Sequence, residues 1–474
     1  MSYLHSSCHC EWKRLLRLKM LKVLGFVLCG LLMSLQSSNA ESTIISQEAY
    51  EKACQDSTSS LFESEMSKFT FPELKVDSIA IKGLYIMNVT ILPIKAKCIP
   101  GVGVKVYFSA LLSIFGTCAN ALVPGVVTVT VRLNCSALVL LEDYLPDNSS
   151  VGVRDYTCDA SLIDVKISLS NIGVSVEATL RNNILFELKN KAPKILSSCF
   201  SIGHRKLLHC INSVIAFETG KIIYVPKPPK VHNYSIEIPL QTQYETSDGK
   251  RIPIPSLPAS PEVMLAANGT TETIGENTFT IILSRIVFEK PKTIPCTPET
   301  FPETRALEVA LNNTIVSKCP ACSSSPFSLV IIVEVVTPLK VHLDVNLCTM
   351  NISLNLEIMS KKGNESLLVL AVLEAKLGLA ATLHLTEGEV QFSVALDSLT
   401  LSLVSSVNGT TDIKLLQEPL RAFVREVIIN EINSYLKIGK IPILRIPGLT
   451  YTAVDCRPAQ RCIVCHNYHK KKKN

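Results

Sequence analysis

The chain has 474 residues and a net charge of +6, but its charge is unevenly distributed. Residues 1–40 carry five basic residues and one acidic residue, whereas residues 41–224 carry 17 residues of each sign. Because nucleic-acid binding needs a basic face, this balance argues against nucleic acid as a partner.

The first 40 residues have the features of a secretory signal peptide. A basic stretch that includes Lys13 and Arg14 precedes an apolar run from Val23 to Leu35, and Ser38 to Ala40 supply small residues for cleavage. That run is too short to cross a bilayer, and no later stretch reaches about 18 uninterrupted apolar residues. We therefore expect a secreted, extracellular protein that is not transmembrane.

Cysteines and glycosylation sequons fit this compartment. Fourteen cysteines lie beyond residue 40, and an even number in an oxidising compartment predicts disulfide bonds. Sequons of the N-x-S/T type predict a glycoprotein. The candidate glycosylation sites are Asn88, Asn134, Asn148, Asn233, Asn268, Asn312, Asn351, Asn364 and Asn408.

Residues 41–224 are expected to form the first of two domains. The pattern predicts a helix over 46–69, strands over 70–131, 133–141, 162–169 and 174–180, and a long amphipathic helix over about 187–218. Its apolar stripe provides candidate residues for lining a pocket. Those candidates are Ile195, Leu207, Ile211 and Val214.

Residues 225–262 form a proline-rich linker, in which the alternating stretch from Tyr234 to Tyr244 predicts a strand that joins the two halves. Residues 263–468 are expected to repeat the first plan. We predict strands from 279 to 287, a helix over 299–316 and strands from 327 to 404. Residues 469–474 form a basic tail.

The strands and the closing helix of the second half have the clearest patterns. Apolar residues alternate from Leu377 to Leu385 and from Val390 to Leu396, and a phase shift before Leu399 predicts a bulge. A helix over about 414–436 follows, and a terminal hairpin over 449–454 and 461–468 is predicted to turn at 457–460. The candidate pocket residues on this helix are Leu420, Phe423, Val424 and Val427.

Three features of the chain resemble the bactericidal/permeability-increasing protein family, which includes lipopolysaccharide-binding protein, cholesteryl ester transfer protein and the palate-lung-nasal secretory proteins. Cys158 and Cys199 lie 41 residues apart, like the single bridge that this family shares. The stretch YSIEIPLQTQYE with IPIPSLPASPEVML is similar to the family's central strand and linker, and LQEPLRAFVREVIINEINSYLKIGKIPILRIPGLTY to its last helix and exit. The likeness covers roughly residues 46–468.

The resemblance implies an α+β fold of two elongated β-barrels, each with long amphipathic helices, joined by a central sheet into a boomerang-shaped pseudo-duplication. It also implies a Cys158–Cys199 disulfide and apolar pockets that take phospholipid or another apolar lipid. The family's endotoxin-binding members have a cationic N-terminal barrel. The balanced charge of residues 41–224 therefore argues against tight endotoxin binding.

These observations favour a secreted lipid carrier with a role in innate or mucosal defence. The alternative is a secreted interaction or structural glycoprotein whose pockets are filled by its own side chains. Enzyme activity is not expected, because the chain has no G-x-S-x-G, H-E-x-x-H or glycine-rich phosphate loop. No cofactor or metal is expected.

Three short motifs have alternative interpretations. Cys462, Cys465 and His466 have the spacing of a haem attachment site and, with Cys456 and His469, could ligate zinc, although hairpin disulfides are favoured. Cys319 and Cys322 have redox spacing, and structural bridging is favoured there too. The tail Lys470 to Lys473 either binds anionic lipid or acidic glycans, or is a disordered, solubilising tail.

Overall fold

The computed structural model describes residues 41–76, 79–120, 123–141, 151–168, 174–211, 214–217, 220–255, 269–318, 328–361, 367–386, 388–406, 413–443, 446, 449 and 451–469. The predicted signal peptide, the pair Cys319 and Cys322, and the tail from Lys470 lie outside these residues.

The first half begins with a strand and a helix and continues into long strands and a second, longer helix. Its elements are β1 (Ser42–Ser46), α1 (Gln47–Ser67), β2 (Leu74–Val76), β3 (Ile79–Ile91), β4 (Lys95–Ile99), β5 (Gly103–Asn120), β6 (Val123–Leu140), β7 (Gly152–Ile167), α2 (Val174–Ile211), β8 (Val214–Phe217) and β9 (Gly220–Pro226).

The rest of the chain alternates short strands and helices, then forms four long strands and a closing helix. Its elements are β10 (Lys230–Val231), β11 (Ser235–Thr246), β12 (Arg251–Pro253), β13 (Gly269–Gly275), α3 (Glu276–Ile286), β14 (Lys292–Cys296), α4 (Thr304–Lys318), β15 (Ser328–Asp344), β16 (Leu347–Lys361), β17 (Leu368–Thr386), β18 (Glu389–Ser406), α5 (Ile413–Phe423), a π-helical turn (Val424–Ile428), α6 (Ile429–Ile438), β19 (Ile441–Pro442), β20 (Tyr451–Ala459) and β21 (Cys462–His469).

The strands form three antiparallel sheets, and the fold is α+β with more sheet than helix. One curled sheet has the order β2-β3-β5-β6-β7, with β4 on β5, and the other runs from β14 to β19 in chain order. The third sheet has nine strands in the order β20-β21-β13-β1-β11-β9-β8, with β10 and β12 also on β11. It therefore combines strands from the start, the middle and the end of the chain.

The long strands of the second half confirm the alternation seen in the sequence. β17 pairs with β18 so that Gly378 faces Ser398 while Leu379 faces Leu396. Asp397 is thus an extra residue on β18. This is the predicted bulge, and it restores the apolar residues to one face of the sheet after the phase shift.

The helix α1 confirms the first predicted helix, with an end at Ser67 rather than Phe69. Ser46 is extended, with φ −65° and ψ 154°, and its Oγ accepts a hydrogen bond from the amide of Ala49 at 3.2 Å. This side chain satisfies one of the free amides of the first turn, so the helix begins directly after strand β1.

Two segments predicted as strands are helical. Residues 174–180 open the helix α2, and residues 279–286 belong to α3. In α3 the buried Phe279, Ile282 and Leu283 follow helical spacing. Both windows are short and apolar, and in such windows helix and strand patterns overlap. For residues 174–180, the rest of α2 favours a helix, because its buried residues continue at helical spacing.

Most other element boundaries differ by a few residues, but β7 begins at Gly152 rather than at 162. The helix α4 begins at Thr304 rather than 299, and the closing helix runs from Ile413 to Ile438. The terminal hairpin is confirmed, but residues 457–459 belong to β20 and the chain turns at Gln460 and Arg461. Arg461 has a φ of 63°, which suits a tight turn.

Candidate functional site

The long helix α2 covers the first curled sheet with one row of buried side chains. Every fourth residue from Val176 to Leu208 belongs to this row, which fits an i, i+4 ridge. The helix packs against β7, β6 and α1. No residue of the buried row is more than 2% exposed. The row consists of Val176, Leu180, Ile184, Leu188, Ala192, Leu196, Phe200, His204 and Leu208.

The pocket residues predicted on this helix are only partly brought together. Leu207 is buried and Ile195 is half-buried against the core, whereas the Ile211 side chain lies outside the described part. The predicted placement of Val214 on this helix is wrong. The helix ends at Ile211, and Val214 begins β8, pairs with Ile223 of β9 and is 56% exposed.

The closing helix buries a second apolar row over the other curled sheet. Leu420, Phe423 and Val424 are fully buried, and Val427 is half-buried against the same core. The ring of Phe423 meets that of Phe301 edge to face, with 5.5 Å between centroids. The structure therefore places the four predicted residues on one side of the helix. That they line a ligand pocket stays a prediction.

A π-helical turn interrupts this closing helix at Val424–Ile428. Such a turn contains one more residue than an α-turn and shifts the phase of the residues that follow. The buried row therefore continues through Ile428, Ile432 and Leu436. This turn could not be predicted from the pattern, because the apolar residues keep a spacing of three or four throughout.

The structure contradicts the disulfide that the family resemblance implied. Cys158 is bonded to Cys135, and the Cα atoms of the two residues are 4.2 Å apart. They lie directly opposite each other on β6 and β7, where neighbouring side chains point to the same face. Cys199 on α2 is a buried thiol, and burial raises its pKa to about 11.

The terminal hairpin contains the disulfide favoured over haem and zinc. Cys456 of β20 is bonded to Cys465 of β21, so the Cys465 sulfur is already used in a covalent bond. Cys462 is a buried thiol. Nδ1 of His466 lies 3.0 Å from the hydroxyl of Thr271, and burial lowers the pKa of this histidine.

A buried polar cluster joins the helices α1 and α2, and sequence analysis missed it. The hydroxyl of Tyr50 donates a hydrogen bond to Nε2 of His204, and Sγ of Cys54 lies 3.4 Å from the same nitrogen. The Nδ1–H of His204 donates to the carbonyl of Phe200 at 2.8 Å. Because burial lowers the pKa of His204 to about 4, the ring is neutral and fixes the contact between the helices.

Two open cavities among the described residues are lined mainly by the second half. One, of about 650 Å³, is lined by polar residues such as Glu276, His342 and Arg461. The other, of about 730 Å³, lies where α3, the end of the closing helix and β18 meet. Its lining includes Arg285 and Tyr435, so it combines charged and apolar side chains.

The predicted glycosylation sites can be placed for part of the chain. Asn88, Asn134, Asn233 and Asn351 are exposed, as a modified asparagine must be. Asn312 lies on α4 with its side chain undescribed, and the other four lie outside the described residues. Those four are Asn148, Asn268, Asn364 and Asn408. Glycosylation itself stays a prediction.

None of the described helices is both long enough and apolar enough to cross a bilayer.

No protein-family model matches this sequence, and no curated protein matches it either. Solved structures do match. Lipopolysaccharide binding protein is 13% identical, with 91% of this chain and 99% of that chain covered and a TM-score of 0.54. P47 proteins of Clostridium botulinum E1 and A2 are 10% and 11% identical, with 91% of this chain and 99% and 97% of theirs covered, and TM-scores of 0.30.

The likeness to lipopolysaccharide binding protein shows the fold. It confirms the resemblance that the hinge, the closing helix and the order of elements predicted.

Proposed function

We propose that the protein binds lipids in the apolar interior of each half and does not transform them. The observation that carries this proposal is the fold, which is shared with lipopolysaccharide binding protein along 91% of the chain. In each half, a long helix lies over a curled sheet with its apolar row inward. This layer between helix and sheet is where an acyl chain would be desolvated.

The proposal includes two barrels that arose as a pseudo-duplication and share a central sheet. The nine-stranded sheet supports it, because β1 pairs with β11 on one side and with β13 on the other. Each half also has its own curled sheet. The domain limits 41–224 and 263–468 belong to this proposal.

The proposed ligand is phospholipid or another apolar lipid, and tight endotoxin binding is not part of the proposal. Residues 41–224 carry 17 basic and 17 acidic residues, so the first half has no net attraction for a phosphorylated glycolipid. Secretion, glycosylation and a role in mucosal or innate defence are proposed from the basic and apolar N-terminal segment and the exposed sequons.

A second candidate function is that of a secreted interaction glycoprotein with a filled interior. The contact between Phe423 and Phe301 favours it, because protein side chains already occupy that part of the closing helix surface. In this case the apolar rows serve packing alone.

Organic extraction of the purified protein, followed by mass spectrometry, separates these two functions. Stoichiometric phospholipid or sterol in the extract is the expected result for a carrier. An extract without lipid, from protein whose folded state is verified by circular dichroism, favours the interaction glycoprotein.

A further inference from the structure

The cavity of about 730 Å³ at the end of the closing helix is built from separate parts of the chain. Arg285 comes from α3, and Lys290 follows that helix. Glu389 begins β18, Ile438 ends α6, and Ala216 comes from β8 in the first half. The site therefore exists only in the folded chain.

The charges around this cavity fall into two sets. Lys292 pairs with Glu431, and Nζ of Lys440 lies 3.5 Å from Oε2 of Glu389. These two lysines are neutralised by carboxylates.

Arg285 and Lys290 are exposed and, within the described part of the chain, have no carboxylate partner. The Arg285 guanidinium carbon lies 5.8 Å from the centroid of the Tyr244 ring, which holds it near one position. Among the described residues of the lining, the acidic ones are Glu389 and Glu289. Two cations thus remain available to a ligand.

Part of the cavity lining is apolar. Ile438 is 74% exposed, and the half-buried Tyr435 and Ile286 lie beside it. An exposed isoleucine and two cations in one cavity fit an amphiphilic ligand. Its anionic group would contact the cations, and its apolar part would contact the isoleucine.

We propose that this cavity binds the phosphate of an anionic phospholipid headgroup, with Arg285 and Lys290 as its ligands and Ile438 against the adjoining apolar part. A guanidinium offers paired donors that match phosphate oxygens, and a lysine adds a point charge. This inference extends the proposed lipid binding, since it names a headgroup class and a site separate from the apolar interior.

The test is binding of the full chain to vesicles of phosphatidylcholine alone and of phosphatidylcholine with phosphatidic acid. We expect Arg285→Gln with Lys290→Gln to lower the affinity for the anionic vesicles about tenfold, a loss typical of removed charge-assisted bonds. Glu289→Gln should raise the affinity for the anionic vesicles, because it removes a negative charge from the lining. The matched control is Arg132→Gln with Lys75→Gln, which removes the same two charges from exposed positions in the first half.

An equal loss in the control pair, or no loss in the cavity pair, would overturn the proposal. If soluble glycerol 3-phosphate binds equally tightly in the absence of vesicles, the phosphate that the cavity recognises need not belong to a lipid. This result would overturn the assignment of the ligand as a phospholipid headgroup. The single variant Lys290→Gln changes an exposed position, so it is expected to keep the wild-type melting temperature. It should still lose part of the affinity for the anionic vesicles. Lipid extracted from the interior reports on the proposed function separately, because neither cation contributes to the apolar rows.

Discussion

His204 is a buried residue whose protonation would break a specific set of contacts. Its ring accepts a hydrogen bond from Tyr50 and donates one to the carbonyl of Phe200. A charged imidazolium could no longer accept a hydrogen bond from Tyr50, and its charge would be buried away from solvent. At this position, pH and fold stability are therefore coupled.

We predict that the contribution of His204 to the free energy of unfolding decreases as the pH falls from about 6.5 to 4. Burial lowers the pKa of His204 to about 4, so the unfolded state binds the proton first and is favoured as the pH falls. The loss is at most about 3 kcal/mol by proton linkage. Urea titrations at pH 7 and 4.5 measure it as the difference in stability between the wild type and His204→Gln, which should be smaller at pH 4.5. The same substitution at the exposed His384 should show no such change between the two pH values.

The two disulfides of the described chain give a second prediction. Non-reducing peptide mapping should recover Cys135 with Cys158 and Cys456 with Cys465. Cys199→Ser should leave both bonds intact, because Cys199 is a thiol in the structure. Loss of the first bond should cost about 3 kcal/mol by the loop-entropy estimate. A peptide that links Cys158 to Cys199 would contradict the structure and support the family pairing.

The correct partner of Cys158 could not be found from the sequence alone. It depends on the register of β6 against β7, which places Cys135 directly across, and register is a tertiary property. The resemblance pointed instead to a pair that matched in spacing. The buried polar cluster at His204 was missed for a similar reason, because Tyr50 and His204 are 154 residues apart along the chain.

At the scale of elements, the closing helix gives the sharpest test of an interior ligand site. Val427 is half-buried on the inward side, so Val427→Trp should fill adjoining space and lower lipid content while stability is retained. If that space is packed core, overpacking should cost about 1–3 kcal/mol. Leu415→Trp is the control, because Leu415 is 61% exposed on the same helix. A lowered melting temperature with unchanged lipid content would count against a pocket.

The elements that could be predicted are those with long, regular patterns. β17 and β18 alternate over many residues, and the break in phase before Leu399 marked the bulge at Asp397. The helix α3 was missed because it has only eleven residues, and in a short apolar window helix and strand patterns overlap. The start of α2 was missed because residues 174–180 alternate locally, whereas the helical row is evident only over the full length of the helix.

At the scale of the molecule, the resemblance predicted the fold, and local patterns could not have done so. β1 pairs with β11 and β13, which are roughly two hundred residues away along the chain. Periodicity identifies a strand and its buried face but not its partner. In the candidate site, too, the local pattern predicted some residues and not others. The inward residues of the closing helix were predicted, whereas the cavity around Arg285 required distant segments to meet.

Whether the interior of this fold accepts lipid can be measured by loading delipidated protein. Protein stripped of lipid and verified as folded would be incubated with phosphatidylcholine vesicles, separated by gel filtration and assayed for bound phosphorus. We predict stoichiometric phospholipid that stays with the protein at high salt, because apolar burial is not screened. Folded protein that emerges with no phospholipid above a lipid-free control would contradict the account.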